Sequence, residues 1–142
     1  MADSNPTYNL FTDGGARGNP GPAGIGAILF DENDKLVWFD SEYIGESTNN
    51  EAEYKAILEG LTYFKKFFGS KKITLKCYLD SELIVKQLNG EYKVKNENLK
   101  MSYNEIQSLI NDLDLTFEHV YREKNKFADK LVNISLDAHG NS

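Results

Sequence analysis

Four acidic residues lie at positions from which their carboxylates can converge: Asp13, Glu53, Asp80 and Asp129. Carboxylates held close together repel each other unless they are protonated or bind cations. Oxygen ligands suit hard divalent cations such as Mg²⁺ or Mn²⁺, and one cysteine with two histidines is too few for a typical zinc site. The four acids together predict a divalent-metal centre, although each acid taken alone is more simply a helix cap or a surface charge.

Two of these acids, Asp13 and Asp80, end predicted strands. The segments TYNLFTD, AGIGAILFD and KLVWFDSEYIG predict an antiparallel meander with a turn at residues 32–34, and KKITLKCYLD and LTFEHV predict two further strands that alternate with helices. If the first, fourth and fifth strands are parallel, they end at one edge of the sheet, where strands ~4.8 Å apart bring the two carboxylates close together. We expect an α/β fold with a five-stranded mixed sheet, in which strands 1–3 are antiparallel and strands 1, 4 and 5 are parallel, flanked by helices.

The other two acids lie on predicted helices. The predicted helices cover about residues 50–68, 82–89 with Ser81 as N-cap, 98–113 and 125–139. Helical phase places Glu53 one turn before Ile57 on the buried stripe of the first helix, whereas Glu51 and Glu59 lie on its opposite, charged face. Asp129 borders the apolar stripe of the last helix. Glu53, and not Glu51, is therefore predicted to point at the sheet.

The glycine-rich segment FTDGGARGNPGPAGIGAIL, residues 11–29, lacks the features of a nucleotide-binding loop. No Lys-Ser or Lys-Thr pair follows it, as a P-loop requires, and it leads into a strand instead of a helix, which also argues against a dinucleotide-binding fold. We expect its glycines to let the chain turn back tightly after Asp13 and to let a bulky ligand approach the backbone.

The chain has 142 residues and a formal net charge of −6. This length fits one domain, and the charge argues against a general nucleic-acid binder, because such proteins are normally basic. No window is apolar enough to span a membrane, and the N-terminal sequence lacks the character of a signal peptide. We expect a cytoplasmic protein that does not bind membranes, with Cys77 as a reduced core thiol and loose termini at residues 1–6 and 139–142.

Four motifs in this order, TDGGARGNPGPAGIGAIL, TNNEAEY, LDSELIVKQLNG and REKNKFADKLVN, strongly resemble type 1 ribonuclease H, and the resemblance extends from Tyr8 to Ala138. It implies a ribonuclease H-like fold, with residues 1–142 forming one catalytic domain. It also implies endonucleolytic cleavage of the RNA strand of an RNA/DNA hybrid, leaving 5′-phosphate and 3′-hydroxyl ends. Carried over by position, the family's catalytic and metal-binding carboxylates are Asp13, Glu53, Asp80 and Asp129. The family's mechanism uses two Mg²⁺ ions, with Asp13 bridging both and Mn²⁺ as a substitute.

The resemblance also implies contacts with the hybrid, because selectivity for RNA requires the protein to reach the 2′-hydroxyl groups across the minor groove. The candidate substrate-binding residues are Gly14, Gly15, Ala16, Asn19, Asn49, Asn50, Ser81, Glu82, Lys93, Lys95, Arg122 and Asn125. Asn49 has a second interpretation as the cap of the first helix. Glu82 occupies a position where the family often has Gln, and an ionised Glu only accepts hydrogen bonds.

The chain departs from the family pattern in two places. Many members carry a histidine in the loop before the last acid, whereas this chain has YREKN, which resembles the archaeal-type variant and suggests a release route that involves Arg122. His119 lies inside the fifth predicted strand, where a structural role is the simpler interpretation. The Lys/Arg-rich protrusion that helps some members to hold the hybrid has no counterpart in this sequence, and we expect no N-terminal hybrid-binding domain. Salt-sensitive substrate binding is therefore expected.

Three alternatives stay open alongside a monomeric, free-standing hybrid nuclease, which the Met1 start favours. The chain could be a catalytically weak hybrid-binding module, a nuclease that also cleaves double-stranded RNA, or part of a larger polymerase-linked protein. The complete set of four acids argues against the first. Two bound divalent cations would change the formal net charge from −6 to −2, which reduces the electrostatic objection to a nucleic-acid substrate.

Overall fold

The computed structural model describes residues 5–69 and 71–140. The alternation of apolar residues produces the strands, and the 3.6-residue apolar stripes produce the helices. The elements in chain order are β1 (Thr7–Ala16), β2 (Gly21–Phe30), β3 (Leu36–Ser47), α1 (Asn49–Phe68), β4 (Thr74–Leu79), α2 (Glu82–Leu88), α3 (Glu97–Ile110), β5 (Asp114–His119), a 3₁₀ turn (Arg122–Lys124) and α4 (Lys126–Gly140).

The five strands form one mixed sheet in the order β3-β2-β1-β4-β5. Strand β2 pairs in antiparallel fashion with both β1 and β3, and β4 pairs in parallel with both β1 and β5. The predicted fold and strand directions are confirmed. Because β1, β4 and β5 point the same way, their carboxyl ends share one edge of the sheet, which is where the acids were expected.

Helices cover both faces of the sheet. Successive residues of a strand point to opposite faces, and Gly14 of β1 faces the α1 backbone, whereas Gly15 faces Val132 of α4. The main core lies between α1 and the sheet and includes Leu10, Leu29, Ile57, Leu61 and Leu75, which are all fully buried. Cys77 is also fully buried, as predicted. Among the described residues, no helix combines the length and the apolar character that crossing a membrane requires.

Strand β1 continues past Asp13 to Ala16, so the prediction that it ends at Asp13 in a tight glycine turn is wrong. Gly14 and Gly15 pair with Ile25 and Gly24 of β2, and the chain bends only at residues 17–20. The glycine serves close packing instead: a Cβ on Gly14 would lie 2.3 Å from the carbonyl carbon of Ala52. The first turn of α1 can therefore lie directly against β1.

Several predicted boundaries differ from the structure. Helix α1 is capped by Thr48 and begins at Asn49, so the interpretation of Asn49 as its cap is wrong. Helix α4 continues through His139 and Gly140, and the His139 ring stacks on Tyr43 with centroids 3.7 Å apart, so these two residues are not a loose end. Pro6 precedes β1, and its carbonyl accepts a hydrogen bond from the Thr74 amide. Of the predicted loose termini, residues 1–4 and 141–142 lie outside the described residues, and Asn5 is exposed.

Candidate active site

Three carboxylates converge at the carboxyl edge of the sheet. Asp13, Glu53 and Asp80 each offer one oxygen, and these oxygens all lie within 4.8 Å of one another. Asp13 belongs to β1, Glu53 to the first turn of α1, and Asp80 directly follows β4. All three are partly buried. We call Asp13, Glu53 and Asp80 the active-site trio; their convergence agrees with the topology predicted from the sequence.

The start of α1 aims Glu53 at the sheet. Thr48 and Glu51 form a capping box: the Glu51 amide donates to Thr48 Oγ1 over 3.2 Å, and the Thr48 amide donates to Glu51 Oε1 over 2.9 Å. The hydrogen bonds from Thr48 lower the pKa of Glu51. Glu51 therefore serves as the capping acid of α1, which explains why an acid lies at this position. This role agrees with the prediction that Glu51 does not belong to the site.

Asp129, in the first turn of α4, lies beside the trio and outside it. It lines the same cavity, of about 340 Å³, as the three other carboxylates. It is also a hydrogen-bond partner of the Asp13 carboxyl and helps to raise the pKa of that group. The four predicted acids therefore share one cavity, with three of them in mutual contact range and the fourth at its wall.

The pKa values of two trio members are strongly raised. Burial, followed by the charges of Asp80 and Glu53, raises the pKa of Asp13 to about 8. Burial and the charge of Asp80 raise the pKa of Glu53 to about 8, although a hydrogen bond with Ser81 and the charge of Arg122 act in the opposite direction. The cause is the crowding of like charges away from water.

The trio fits hard divalent cations. Its donors are carboxylate oxygens close enough to share an ion, and a cation between them would offset the repulsion that raises the pKa values of Asp13 and Glu53. Arg122 reaches the rim of the same cavity and is exposed.

Five of the predicted substrate-binding residues line this cavity: Gly14, Gly15, Ala16, Asn49 and Arg122. Asn49 is held in place through both its side chain and its backbone. Its Oδ1 accepts from the Ala16 amide over 2.8 Å, and its own backbone amide donates to Asn19 Oδ1 over 3.0 Å. Asn19 therefore supports the wall of the cavity through Asn49.

The other predicted contacts do not line this cavity in the described part of the chain. Ser81 directly follows Asp80, is the N-cap of α2, accepts a hydrogen bond from the Ile84 amide and is a hydrogen-bond partner of Glu53. Glu82 is exposed and forms an ion pair with Lys86 over 3.1 Å. Lys93 lines a separate cavity beside Tyr92. The remaining two, Asn50 and Lys95, are exposed.

Asn125, the last of the predicted substrate-binding residues, has a structural role in the site. Its side chain is buried, with 1% of the residue exposed. Its Nδ2 donates to the Thr12 carbonyl over 2.9 Å and to Asp80 Oδ2 over 3.3 Å. Asn125 therefore ties the segment before α4 to β1 and orients Asp80, which makes it a positioning residue.

Two residues of the cavity wall were missed by sequence reasoning. Arg17 Nη2 donates to Asp137 Oδ1 over 2.6 Å and to Asn133 Oδ1 over 3.3 Å. Asn133 in turn donates to the Asp129 carbonyl over 3.1 Å. The i, i+4 spacing of Asp129 and Asn133 was the available signal for the second residue. The contact of Arg17 spans 120 residues and leaves no local signal.

Comparison with known proteins agrees with this architecture. The family model described as "Reverse transcriptase-like" matches residues 11–135. A bifunctional protein of Mycobacterium tuberculosis is 39% identical over 128 residues, which cover 89% of this chain and 34% of that protein. The chain thus spans about a third of the length of the first curated relatives it matches. Ribonuclease HI of Halobacterium salinarum is 35% identical over 136 residues, covering 95% of this chain and 67% of that protein.

Solved structures show the same likeness. A ribonuclease isolated from compost, LC11-RNase H1, superposes with a TM-score of 0.88 at 44% identity, covering 94% of this chain and 97% of that one. A second structure of that protein is a complex with an RNA/DNA hybrid, with a TM-score of 0.88 and 43% identity over 93% of this chain and 98% of that one. Fold, family model and relatives agree: the chain belongs to the reverse transcriptase-like family and, within it, to the type 1 ribonucleases H.

Proposed function

We propose that this chain is a divalent-metal-dependent endoribonuclease that hydrolyses the RNA strand of RNA/DNA hybrids, leaving 5′-phosphate and 3′-hydroxyl ends. The observation that carries the proposal is the active-site trio, whose oxygens lie within 4.8 Å of one another and whose members are all partly buried, in a cavity that also holds Asp129. Membership of the type 1 ribonucleases H supports it, as does the relative crystallised with an RNA/DNA hybrid.

The residues that would hold the metal are the active-site trio and Asp129. We propose two Mg²⁺ ions, with Mn²⁺ as a substitute, and Asp13 would help to hold them because it lies on the central strand, where the charges of Asp80, Glu53 and Asp129 act on it. When bound, the ions supply an activated water and stabilise the charge of the leaving 3′ oxygen. Asp13 is held for this role by the adjoining backbone, since Asp13 Oδ1 accepts from the Gly14 amide over 3.0 Å.

The remaining groups of the cavity position the nucleic acid. Gly15 presents no side chain to the cavity, so a ribose can approach its backbone closely, whereas the side-chain position of Gly14 is filled by the α1 backbone. Asn49 is fixed by its hydrogen bonds to Ala16 and Asn19. The nitrogen of its side-chain amide, Nδ2, can donate to a ribose 2′-hydroxyl, which distinguishes RNA from DNA. Arg122 places a positive charge at the rim of the cavity, where it can bind a phosphate oxygen and support product release.

The test uses end-labelled RNA/DNA hybrid incubated with Mg²⁺, with Mn²⁺ or with EDTA. Single-stranded RNA, double-stranded RNA and duplex DNA are run in parallel, and Asp13→Asn is the control variant. We expect metal-dependent cutting of the hybrid RNA that the variant loses. Cutting of double-stranded RNA as well would broaden the substrate class. Binding of the hybrid without cleavage under either metal would refute the enzyme and favour the hybrid-binding module.

We also propose that residues 1–142 act as a single catalytic domain and as a monomer. All four carboxylates come from one chain, so the site needs no residue from a second copy. Gel filtration with light scattering at assay concentrations checks the monomer. The free thiol of Cys77, fully buried and with its pKa raised to about 12 by burial, is compatible with a reducing compartment, and we propose the cytoplasm.

A further inference from the structure

A second cavity adjoins the active site on the sheet face that carries α4. It encloses about 290 Å³, near the lower end of volumes typical for small-molecule pockets. Its walls are formed by Phe11, Phe30, Asp34, Lys124, Asn125 and Phe127. We call it the aromatic cavity; of its residues, the active site uses only Asn125, and that one through its bond to Asp80.

Three phenylalanine rings of the aromatic cavity lie close to one another. The Phe11 and Phe30 rings meet edge to face with centroids 6.0 Å apart, and Phe30 and Phe127 are 6.4 Å apart. Behind them, Phe11 stacks on Tyr78 at 4.7 Å, which fixes its ring. Phe127 is 56% exposed despite its apolar ring. A flat, apolar partner could stack against these rings without any rearrangement of the core.

The aromatic cavity lies near the active site. Phe11 and Asp13 lie two residues apart on the same face of β1, a spacing of about 6.6 Å along a strand. The 3₁₀ turn Arg122–Lys124 contributes to both cavities, because Arg122 lines the carboxylate cavity and Lys124 lines the aromatic one. A strand whose phosphate lies at the trio would therefore reach the phenylalanines within about one or two nucleotides, since stacked nucleotides rise about 3.4 Å each.

The charges at the opening match a nucleotide. Lys124 lines the cavity, and Lys126 Nζ lies 5.6 Å from the Phe127 ring centroid, so two cations are available for the phosphates beside a stacked base. Asp34 is the one acid among the lining residues, and its carboxylate can accept a hydrogen bond from a base amino group or a ribose hydroxyl. Stacking on aromatic rings beside cations is the usual way in which proteins bind unpaired nucleotides.

We propose that the aromatic cavity binds an unpaired base of the RNA strand, about one or two nucleotides beyond the phosphate held at the active-site trio. This inference rests on the proposed function. The enzyme would accordingly prefer sites at which the hybrid ends or frays, because there the RNA strand can leave its DNA partner and enter the cavity.

The test measures binding of labelled hybrids by fluorescence anisotropy in Mg²⁺, with Asp13→Asn used throughout to prevent cleavage. Hybrids with blunt ends are compared with hybrids that carry a two-nucleotide RNA overhang at the 3′ or the 5′ end, and with matching DNA overhangs. We expect one of the RNA overhangs to tighten binding about fivefold or more. Phe127→Ala should remove this gain, and Phe127→Tyr should retain it.

The chain offers a matched control at Phe67. This residue is 55% exposed, and the preceding Lys66 Nζ lies 5.6 Å from its ring, so the local pair resembles Lys126 and Phe127. Phe67 belongs to α1 and is not among the residues that line either cavity. Phe67→Ala should leave the overhang gain unchanged.

The outcomes separate the inference from the function on which it rests. If blunt hybrids are bound and the wild type cleaves them, but no RNA overhang tightens binding, the inference is wrong and the proposed function stands. The same holds if only DNA overhangs tighten binding, or if Phe127→Ala weakens blunt and overhanging hybrids equally. If no hybrid is bound and none is cleaved, the proposed function fails and the inference fails with it.

Discussion

Two groups of three carboxylates occur in the described part of the chain, and they differ in their surroundings. The active-site trio joins β1, α1 and the end of β4. The second group, which we call the outer trio, consists of Asp40, Glu42 and Glu59, whose oxygens also lie within 4.8 Å of one another. Proximity of acids is therefore the same in both groups and does not by itself define a metal centre.

The two groups differ in desolvation. All members of the active-site trio are partly buried, whereas Glu42 and Glu59 of the outer trio are exposed. Burial raises the pKa of Asp13 and Glu53 to about 8. Partial burial, Asp40 and Glu59 also raise the pKa of Glu42, but this residue stays exposed. Water and Lys55, which lines the neighbouring cavity, can screen the outer trio, whereas the partly buried active-site trio is screened less, and a bound cation would offset its repulsion.

The two trios should differ most in the loss of hybrid cleavage that follows when one charge is removed from each. Asp13→Asn should lower hybrid cleavage by more than about a hundredfold, because the central metal ligand is lost. Glu42→Gln should leave the rate within about twofold of the wild type, because water already screens this exposed carboxylate. Initial rates of cleavage of end-labelled hybrid in Mg²⁺ test both expectations. Equal reductions in the two variants would contradict the distinction between the trios.

A smaller effect is expected from the amide that orients the active-site trio. Asn125→Ala removes the bonds to Asp80 and to the Thr12 carbonyl and should lower activity about 10- to 100-fold. The Mg²⁺ concentration for half-maximal rate should rise as well, which a loss of packing alone would not cause.

The matched control is Asn104→Ala, since Asn104 is exposed and lines the cavity beside the outer trio. This variant should keep both the rate and the Mg²⁺ requirement. Thermal melts of both variants would check that they fold. An unchanged Mg²⁺ requirement in Asn125→Ala would show that the residue acts only through stability.

The active-site trio should make the melting temperature of the metal-free protein depend on pH, by a few degrees or more, whereas the outer trio should not. In the metal-free protein, Asp13 and Glu53 have folded pKa values of about 8, above their ordinary values of 3.8 and 4.5. Between these limits the folded state binds more protons than the unfolded state, so stability falls as the pH rises from about 4 to 8. The melting temperature should drop by roughly 5 °C or more over this range, and Mg²⁺ should restore it mainly at pH 8.

Variants of the two trios make this measurement specific. Asp13→Asn should flatten the pH profile and raise the melting temperature of the metal-free protein at pH 8, at the expense of activity. Glu42→Gln should change the profile little, because its side chain remains in water. A metal-free wild type whose melting temperature rises toward pH 8 would contradict the burial of charge at the active site.

The smallest effect is expected from the exposed lysines 93 and 95, which follow α2. If they bind phosphates of the DNA strand, replacing both with Ser should weaken hybrid binding only a few-fold at low salt. The slope of log affinity against log salt should fall by about 0.7–0.9 for each phosphate that is no longer bound. The exposed pair Lys71 and Lys72, replaced in the same way, is the control. Identical slopes in all proteins would exclude this path for the substrate.

Much of the fold and the active-site trio could be predicted because both follow from regular patterns. Parallel strands end at a common edge, which placed Asp13 beside Asp80, and helical phase separated Glu53 from Glu51. The same phase placed Glu59 on a charged face, where it proved exposed. Periodicity is a local property of the chain, and these residues are positioned by local structure.

Features set by contacts between distant segments could not be predicted. The extension of β1 to Ala16 depends on Gly14 lying against the Ala52 backbone. The role of Asn125 depends on its burial against Thr12, 113 residues earlier in the chain. The aromatic cavity likewise joins β1, the end of β2 and the start of α4. A sequence pattern carries no record of such contacts until the fold is known.

The position of α4 at the end of the described chain has a consequence for biosynthesis. The active-site trio is complete once β4 and Asp80 have been made, but Asn125 and Asp129 belong to a segment that leaves the ribosome much later. Ribosomes add about 5–20 residues per second, and domains generally fold as units. For several seconds the nascent chain would carry the trio without the amide that orients Asp80 and without its fourth acid. All residues of the proposed metal centre are therefore present only after the start of α4 has been synthesised.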